Sequence, residues 1–359
     1  NYQLPTTVAG PVGVVTPAPL TARAEDKSKV QGAANPALTI AYVGLVNGET
    51  KAVITEPAIA TTATVDSPVG TYPITLTGGT AANYALNRVD GTLTVVAKAV
   101  PVITWAMPAA VTYGAALTEA QLSATTTVAG SFSYSPAAGA VLNAGSQTLS
   151  VTFTPTDGGN YTNATKEIAL TVEPKPLTGS FTVADKVYDG TTVATVTGRS
   201  LSGIVGSDDV QLTGGTATFD TTAKGAVKAV TLSGASIGGA KASNYALTAV
   251  NPTTAAITAR TVTVTGLTVA GRAYNGLRSV AVSGTAALSG AVSGDDVTIV
   301  GSPGGLLDSA GVGSGKAVTV SGLSLGGGAA GNYTLQTPVL TAEITKAPLT
   351  VTAEDKTKV

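Results

Sequence analysis

Asn83-Tyr84-Ala85-Leu86, Asn160-Tyr161-Thr162, Asn244-Tyr245-Ala246-Leu247 and Asn332-Tyr333-Thr334-Leu335 share an Asn-Tyr dipeptide, and the sequence also opens on it as Asn1-Tyr2. Successive copies lie 82, 77, 84 and 88 residues apart. Aromatic residues make up only 4% of the chain, so one aromatic dipeptide at near-constant spacing marks tandem modules. A second marker keeps the same phase. Pro19-Leu20-Thr21, Pro101-Val102-Ile103-Thr104, Pro176-Leu177-Thr178, Arg260-Thr261-Val262-Thr263 and Pro348-Leu349-Thr350 each open an apolar/Thr alternation. Together the markers divide the 359 residues into a closing strand of a preceding module (1–18), module 1 (19–99), module 2 (100–174), module 3 (175–259), module 4 (260–346) and the opening strand of a following module (347–359). Residues 348–359 match 19–30 at nine positions, which reads as the start of a fifth module in a longer array.

Period-two patterning predicts the class. Gln147-Thr148-Leu149-Ser150-Val151-Thr152-Phe153-Thr154 alternates polar with apolar, as do Thr92-Leu93-Thr94-Val95 and Ala317-Val318-Thr319-Val320. Such runs between Gly, Asn, Asp and Pro read as half-buried strands. The one helical signal, at 117–122 with Thr118 as cap, is worth a turn or two. The expectation is all-β: a tandem array of small Ig-like β-sandwich modules forming an extended rod of about 150 Å. Joints such as Glu173-Pro174-Lys175-Pro176 are short and proline-stiffened.

Composition excludes several functions. Charged residues are 11% of the chain and net charge is −1, so no basic field attracts nucleic acid or an anionic membrane. Cysteine and histidine are absent, which removes disulfides, thiolate chemistry and the commonest general base and zinc ligand. No run of 18 apolar residues predicts a membrane span.

Modules 3 and 4 carry Lys186-Val187-Tyr188-Asp189-Gly190-Thr191 and Arg272-Ala273-Tyr274-Asn275-Gly276, followed by Gly206-Ser207-Asp208-Asp209-Val210 and Gly294-Asp295-Asp296-Val297. These resemble the YDG repeats of bacterial surface proteins. Module 2, with Thr112-Tyr113-Gly114, Ser131-Phe132-Ser133-Tyr134 and Phe153-Thr154-Pro155-Thr156-Asp157, resembles the MBG ("mostly beta, glycine-rich") repeat. Module 1, with Asn35-Pro36 and Gly70-Thr71-Tyr72-Pro73-Ile74, resembles a second variety of it. Asn275 and Arg272 depart from the YDG pattern, and Gln31 stands where module 1 would place the tyrosine of a Tyr-Gly pair. The resemblance implies a large, exported, repetitive bacterial adhesin, located extracellularly at the cell surface, and supplies no catalytic residues.

Each candidate site has a structural reading beside it. Tyr2, Tyr84, Tyr161, Tyr245 and Tyr333 read as repeat markers, each a core anchor at a strand start whose hydroxyl bonds nearby backbone. Tyr-Asp-Gly and Tyr-Asn-Gly read as tight turns. Asp208, Asp209, Asp295 and Asp296 are the calcium candidates, but two adjacent carboxylates fall short of the six to eight oxygens calcium takes. The reading of these four is a solvated turn, with no catalytic residue, no cofactor and no enzyme activity. Lys186, Asn244 and Asp189 are weighed for a Lys–Asn isopeptide crosslink, against which Arg272 in the lysine position of module 4 argues. The glycine runs at 303–305 and 326–328 lack the lysine of a phosphate loop. The functional expectation is a stalk or fibre segment acting as a stiff spacer and assembling into filaments. Its partners are neighbouring modules and like chains, with the glycan or matrix ligand unknown. The alternative is a direct glycan- or matrix-binding module, which predicts exposed aromatics around Trp105, Phe132 and Tyr134.

Overall fold

The computed structural model describes residues 13–358. Tyr2, and most of the closing strand read at 1–18, lie outside the described residues. Among those described, the secondary structure is β-strand with three short 3₁₀ turns and no α-helix. The helical signal at 117–122 is a single turn, in which Leu122 N–H bonds Thr118 O and Thr118 Oγ1 accepts from Ala120 N–H.

The chain forms two compact units. The first holds module 1 and most of module 2. The second holds residues from Glu173 onward together with Thr112–Gly114 and Asn143–Gly145 of module 2.

Module 1 shows the plan. One sheet orders the strands Ile40–Val43, Ala18–Ala24 and Tyr84–Val89; the other orders Lys27–Val30, Gly91–Val96, Gly70–Thr77 and Ala58–Thr61. Ala22, Ala24, Ile74, Leu76 and Leu93, drawn from both sheets, form the buried core between them. Each Leu or Ile so buried contributes about 1.5–3 kcal/mol. The alternation at 147–154 behaves as read: Leu149, Val151 and Phe153 are buried, with their polar neighbours facing outward.

The opening strand of each module runs parallel to the strand that begins at its Asn-Tyr. Ala18 pairs with Tyr84, Lys175 with Tyr245 and Arg260 with Tyr333, while in module 2 a parallel bridge joins Ala99 and Tyr161. This pairing explains why the two sequence markers keep one phase. The chain then crosses to the other layer. There Lys27–Val30, Lys186–Val187 and Arg272–Ala273 lie parallel to the closing strands Gly91–Val96, Thr253–Thr258 and Val339–Thr345. Modules 1 and 3 each have two main sheets, whereas module 2 has a single four-stranded sheet with isolated bridges; the parallel pairings in both layers of modules 1, 3 and 4 are a feature that simple alternation does not predict.

Module 3 has a three-stranded and a five-stranded sheet, whereas module 4 has one curled seven-stranded sheet. The difference is one strand. Val193–Ala194 and Val196–Ser202 are separate in module 3, but Ser279–Ser289 is continuous in module 4 and pairs in both layers. It turns the corner at Gly284, whose φ is +96°, packed against Gly266, whose φ is +81°. A Cβ on Gly284 would sit 2.2 Å from Gly266 O, so the bulge requires glycine.

Candidate functional site at the module joints

The conspicuous polar site is the seam where one module meets the next, and its parts come from three places in the repeat. The first is the Tyr of the Thr-Tyr-Gly or Tyr-Asp-Gly turn. Its backbone N–H bonds the end of the module's closing strand: Tyr113 N–H to Glu173 O at 2.8 Å, Tyr188 to Thr258 at 2.9 Å and Tyr274 to Thr345 at 2.9 Å. The next module begins one or two residues after that carbonyl, so the tyrosine stands against it. The turn itself is as read. Asp189 Oδ1 accepts from Thr191 N–H and Gly190 has φ +77°.

The second part is an acid in a loop of the following module. Tyr188 Oη donates to Asp295 Oδ2 at 2.9 Å, and Tyr113 Oη donates to Asp208 Oδ2 at 2.8 Å. The third is the tyrosine of Asn-Tyr. Tyr333 Oη donates to the same Asp295 oxygen at 2.5 Å, and Tyr245 Oη to the same Asp208 oxygen at 2.6 Å. One carboxylate oxygen therefore takes two phenol protons, one from each module. The direction of the second is fixed, because Val292 N–H and Val205 N–H already donate to Tyr333 Oη and Tyr245 Oη at 2.9 Å. The rings meet edge to face, with centroids 5.4 Å apart for Tyr188–Tyr333 and 5.2 Å for Tyr113–Tyr245. That geometry suits aromatic quadrupoles.

The asparagine of the dipeptide completes the joint. Asn244, buried, accepts from Ala144 N–H at 2.8 Å through Oδ1 and donates to Asn143 Oδ1. Asn332 Oδ1 accepts from Lys224 N–H at 2.9 Å. Both partners sit in the loop that precedes the long strand of the preceding module.

Electrostatics follow the geometry. Hydrogen bonds from Tyr245 and then Tyr113 hold the Asp208 carboxyl below its usual range. Burial, then the hydrogen bond to Asp208, pushes Tyr245 up to about 12. Tyr188 and Tyr333 are raised first by burial and then by Asp295, and Tyr113 first by its bond to Asp208. Phenols bonded to a carboxylate make charge-assisted hydrogen bonds, roughly twice as strong as neutral ones.

The seam between modules 1 and 2 lacks the turn tyrosine and the shared acid. Gln31 occupies the tyrosine position, its N–H bonding Val96 O at 2.9 Å. The loop at 126–129 beside Tyr161 offers no acid. Asn160 turns onto Asp157 Oδ2 at 2.7 Å within its own loop.

Of the repeat-marker tyrosines, Tyr84, Tyr245 and Tyr333 are buried and accept from backbone N–H groups, whereas Tyr161 is half-buried on an isolated parallel bridge to Ala99. Sequence reasoning missed the role of the acids. The first Asp of each pair, read as a solvated turn or calcium candidate, is the acceptor of the joint. The second holds the turn leading into Asn-Tyr, with Asp209 Oδ2 accepting from Ala240 N–H and Asp296 Oδ2 from Gly328 N–H. Among the described residues no three acidic side chains gather as a metal-holding group. The three crosslink residues are not brought together: Lys186 Nζ pairs with Asp189 Oδ1 at 2.7 Å, whereas Asn244 bonds the 143–144 loop. Trp105 is buried, donates to Gln121 O and packs edge-on against Tyr134, while Phe132 and Tyr134 are half-buried.

Comparison with known proteins agrees with the repeat assignment. No curated protein matches the chain. Residues 20–94 match the MBG domain (YGX type), and residues 173–255 and 258–340 each match the YDG domain. The chain is thus a tandem repeat carrying an MBG domain and two successive YDG domains, in a repeat-domain protein of adhesin type.

Proposed function

We propose that this chain is a stiff spacer segment of an exported bacterial adhesin, holding a more distal part away from the cell surface. The observation that carries the reading is the carboxylate shared by tyrosines of successive modules, repeated at Asp208 and Asp295. A joint with a charge-assisted acceptor and crossed rings resists bending more than a bare linker does, and rigidity is what a spacer needs. The reading assigns no catalysis and no cofactor to the chain, and places it outside the cell. Filament formation by lateral or end-on contact is part of the same proposal. The alternative, direct glycan or matrix binding through module 2, loses its main support with the burial of Trp105.

Small-angle X-ray scattering tests the reading. A stiff spacer gives a maximum dimension of about 150 Å that is unaffected by calcium. The paired variant Asp208→Ala/Asp295→Ala would loosen the joints and broaden the distance distribution. A wild-type profile already typical of freely jointed modules would sink the proposal.

A further inference from the structure

The opening and closing strands of a module are its attachments to the chain, so a pull along the array enters and leaves through them. Module 3, with a module on either side, shows the geometry. The chain enters at Lys175–Val183, crosses layers without a turn to Lys186–Val187, and leaves at Thr253–Thr258. The entering strand runs parallel to Tyr245–Val250 over five registered pairs, and its continuation runs parallel to the leaving strand. Parallel strands start at the same pole, so the chain enters at one pole and leaves at the other. A pull on the two ends drags these strands along their own axes in opposite directions. The ladder between Lys186–Val187 and Thr253–Thr258 is then loaded in shear, and its rungs share the force. A hairpin pulled apart at its open end breaks one rung at a time instead.

This ladder is reinforced at both ends. Ahead of it, Asp185 Oδ1 accepts from Ala256 N–H at 2.7 Å, and Asp26 Oδ1 accepts from Thr92 N–H at 2.8 Å in module 1. Behind it, Tyr188 N–H donates to the last carbonyl of the leaving strand, that of Thr258, and Gln31 N–H does the same to Val96, both at 2.9 Å. The bond to the last carbonyl recurs from Tyr113 to Glu173 and from Tyr274 to Thr345. It is present at Gln31, where no tyrosine joint is built, so it serves the module itself.

The reinforcement is graded. Module 1 has four registered pairs in this ladder, against two each in modules 3 and 4. Module 4 has Gly271 in the place of Asp26 and Asp185, and a Cβ there would stand 2.9 Å from Glu343 O, so the acid clasp is missing.

We propose that these modules bear tension along the chain, with the parallel ladder and its acid clasp as the element that resists unfolding under a pull. Resistance follows the ladders: module 1 above module 3, and module 3 above module 4. The use of this property rests on the spacer reading, since a spacer transmits the force acting on what it projects; the property itself does not.

Single-molecule force spectroscopy of the whole chain tests it. The chain has no cysteine, so cysteines added at chosen positions fix where the force is applied. Tethered at its two ends, wild type should unfold in separate steps, each releasing roughly 270 Å for a module of about 80 residues. Asp185→Ala should speed one of these steps about fivefold at the same load, as loss of a hydrogen bond to an exposed carboxylate implies. A second tether uses Gln211→Cys and Lys241→Cys, at the open end of the antiparallel hairpin formed by Gln211–Phe219 and Gly225–Gly238. Pulled there, module 3 should yield at a lower force, and Asp185→Ala should leave that force unchanged. A variant that merely weakened the fold would act in both directions. Equal resistance in the two directions, no effect of Asp185→Ala between the chain ends, or an equal effect in both directions would overturn the proposal. These outcomes leave the spacer reading to its own test, because scattering reads how the unloaded chain bends and not how its modules resist a pull.

Discussion

Replacing Tyr188 by Phe removes one hydroxyl and leaves the ring. The lost contact is the 2.9 Å bond to Asp295 Oδ2. A bond to a charged acceptor is worth roughly 1.5–3 kcal/mol in a closed site. Asp295 is only half-buried and keeps Tyr333, so screening and the remaining donor bring the expected loss to about 1 kcal/mol. The edge-to-face contact with Tyr333 survives in the Phe variant. Tyr188→Ala also empties the ring's site, and aromatic truncation in a packed setting costs about 3–5 kcal/mol. Hydrogen exchange by mass spectrometry reads the effect locally, at the peptide containing Val292, whose N–H is closed onto Tyr333 Oη. A loss of 1 kcal/mol opens that amide about fivefold more often. Tyr274→Phe is the internal control, the same turn with an unengaged phenol, and should leave exchange in its own module unchanged. A double-mutant cycle with Asp295→Asn isolates the pair, because the two changes should be non-additive. If Tyr188→Phe protects Val292 as well as wild type does, or the cycle shows simple additivity, the hydroxyl bond does not hold the joint.

Three further outcomes follow from the same geometry. Asp208 has a depressed pKa when folded, so its contribution is present above the unfolded carboxylate value near 4 and is lost as pH falls through the folded value; acid titration followed by exchange at Val205 N–H should show this loss, and Asp208→Asn should abolish it. Tyr245 has the opposite sign: raised to about 12, its contribution is complete below the unfolded phenol value near 10 and is lost as pH rises through the folded one. Tyrosinate absorbance should therefore show a late-titrating phenol that Asp208→Asn brings earlier. Gly284→Ala places a Cβ 2.2 Å from Gly266 O at a φ of +96° and should destabilise module 4 by about 1–3 kcal/mol in urea unfolding, whereas Gly311→Ala, with open space around it, should be nearly neutral.

The class and the repeat were legible because they rest on period and spacing. Alternation placed Leu149, Val151 and Phe153 inside, and Asn-Tyr marked an anchor that the structure puts at a strand start at Tyr84, Tyr245 and Tyr333, with Tyr161 held instead by an isolated bridge. What escaped the reading was the direction in which the dipeptide faces. Taken alone, Asp208-Asp209 is an acidic turn, and nothing local says that a tyrosine 95 residues earlier comes to it. That tyrosine arrives because its backbone is pinned to the last residue of its own closing strand, and this is a property of the parallel pairing, invisible to alternation. A signal was nevertheless present. Val46-x-x-Glu49, Val205-x-x-Asp208 and Val292-x-x-Asp295 repeat one spacing, with the valine N–H meeting the phenol and the acid taking its proton. Comparing modules for paired presence, a Tyr-Gly or Tyr-x-Gly turn followed by an acid in the next module, would have separated joints that carry the contact from the Gln31 seam that does not. The acids earn their place by what the neighbouring module brings to them, so a reading confined to one module at a time finds only an ordinary turn.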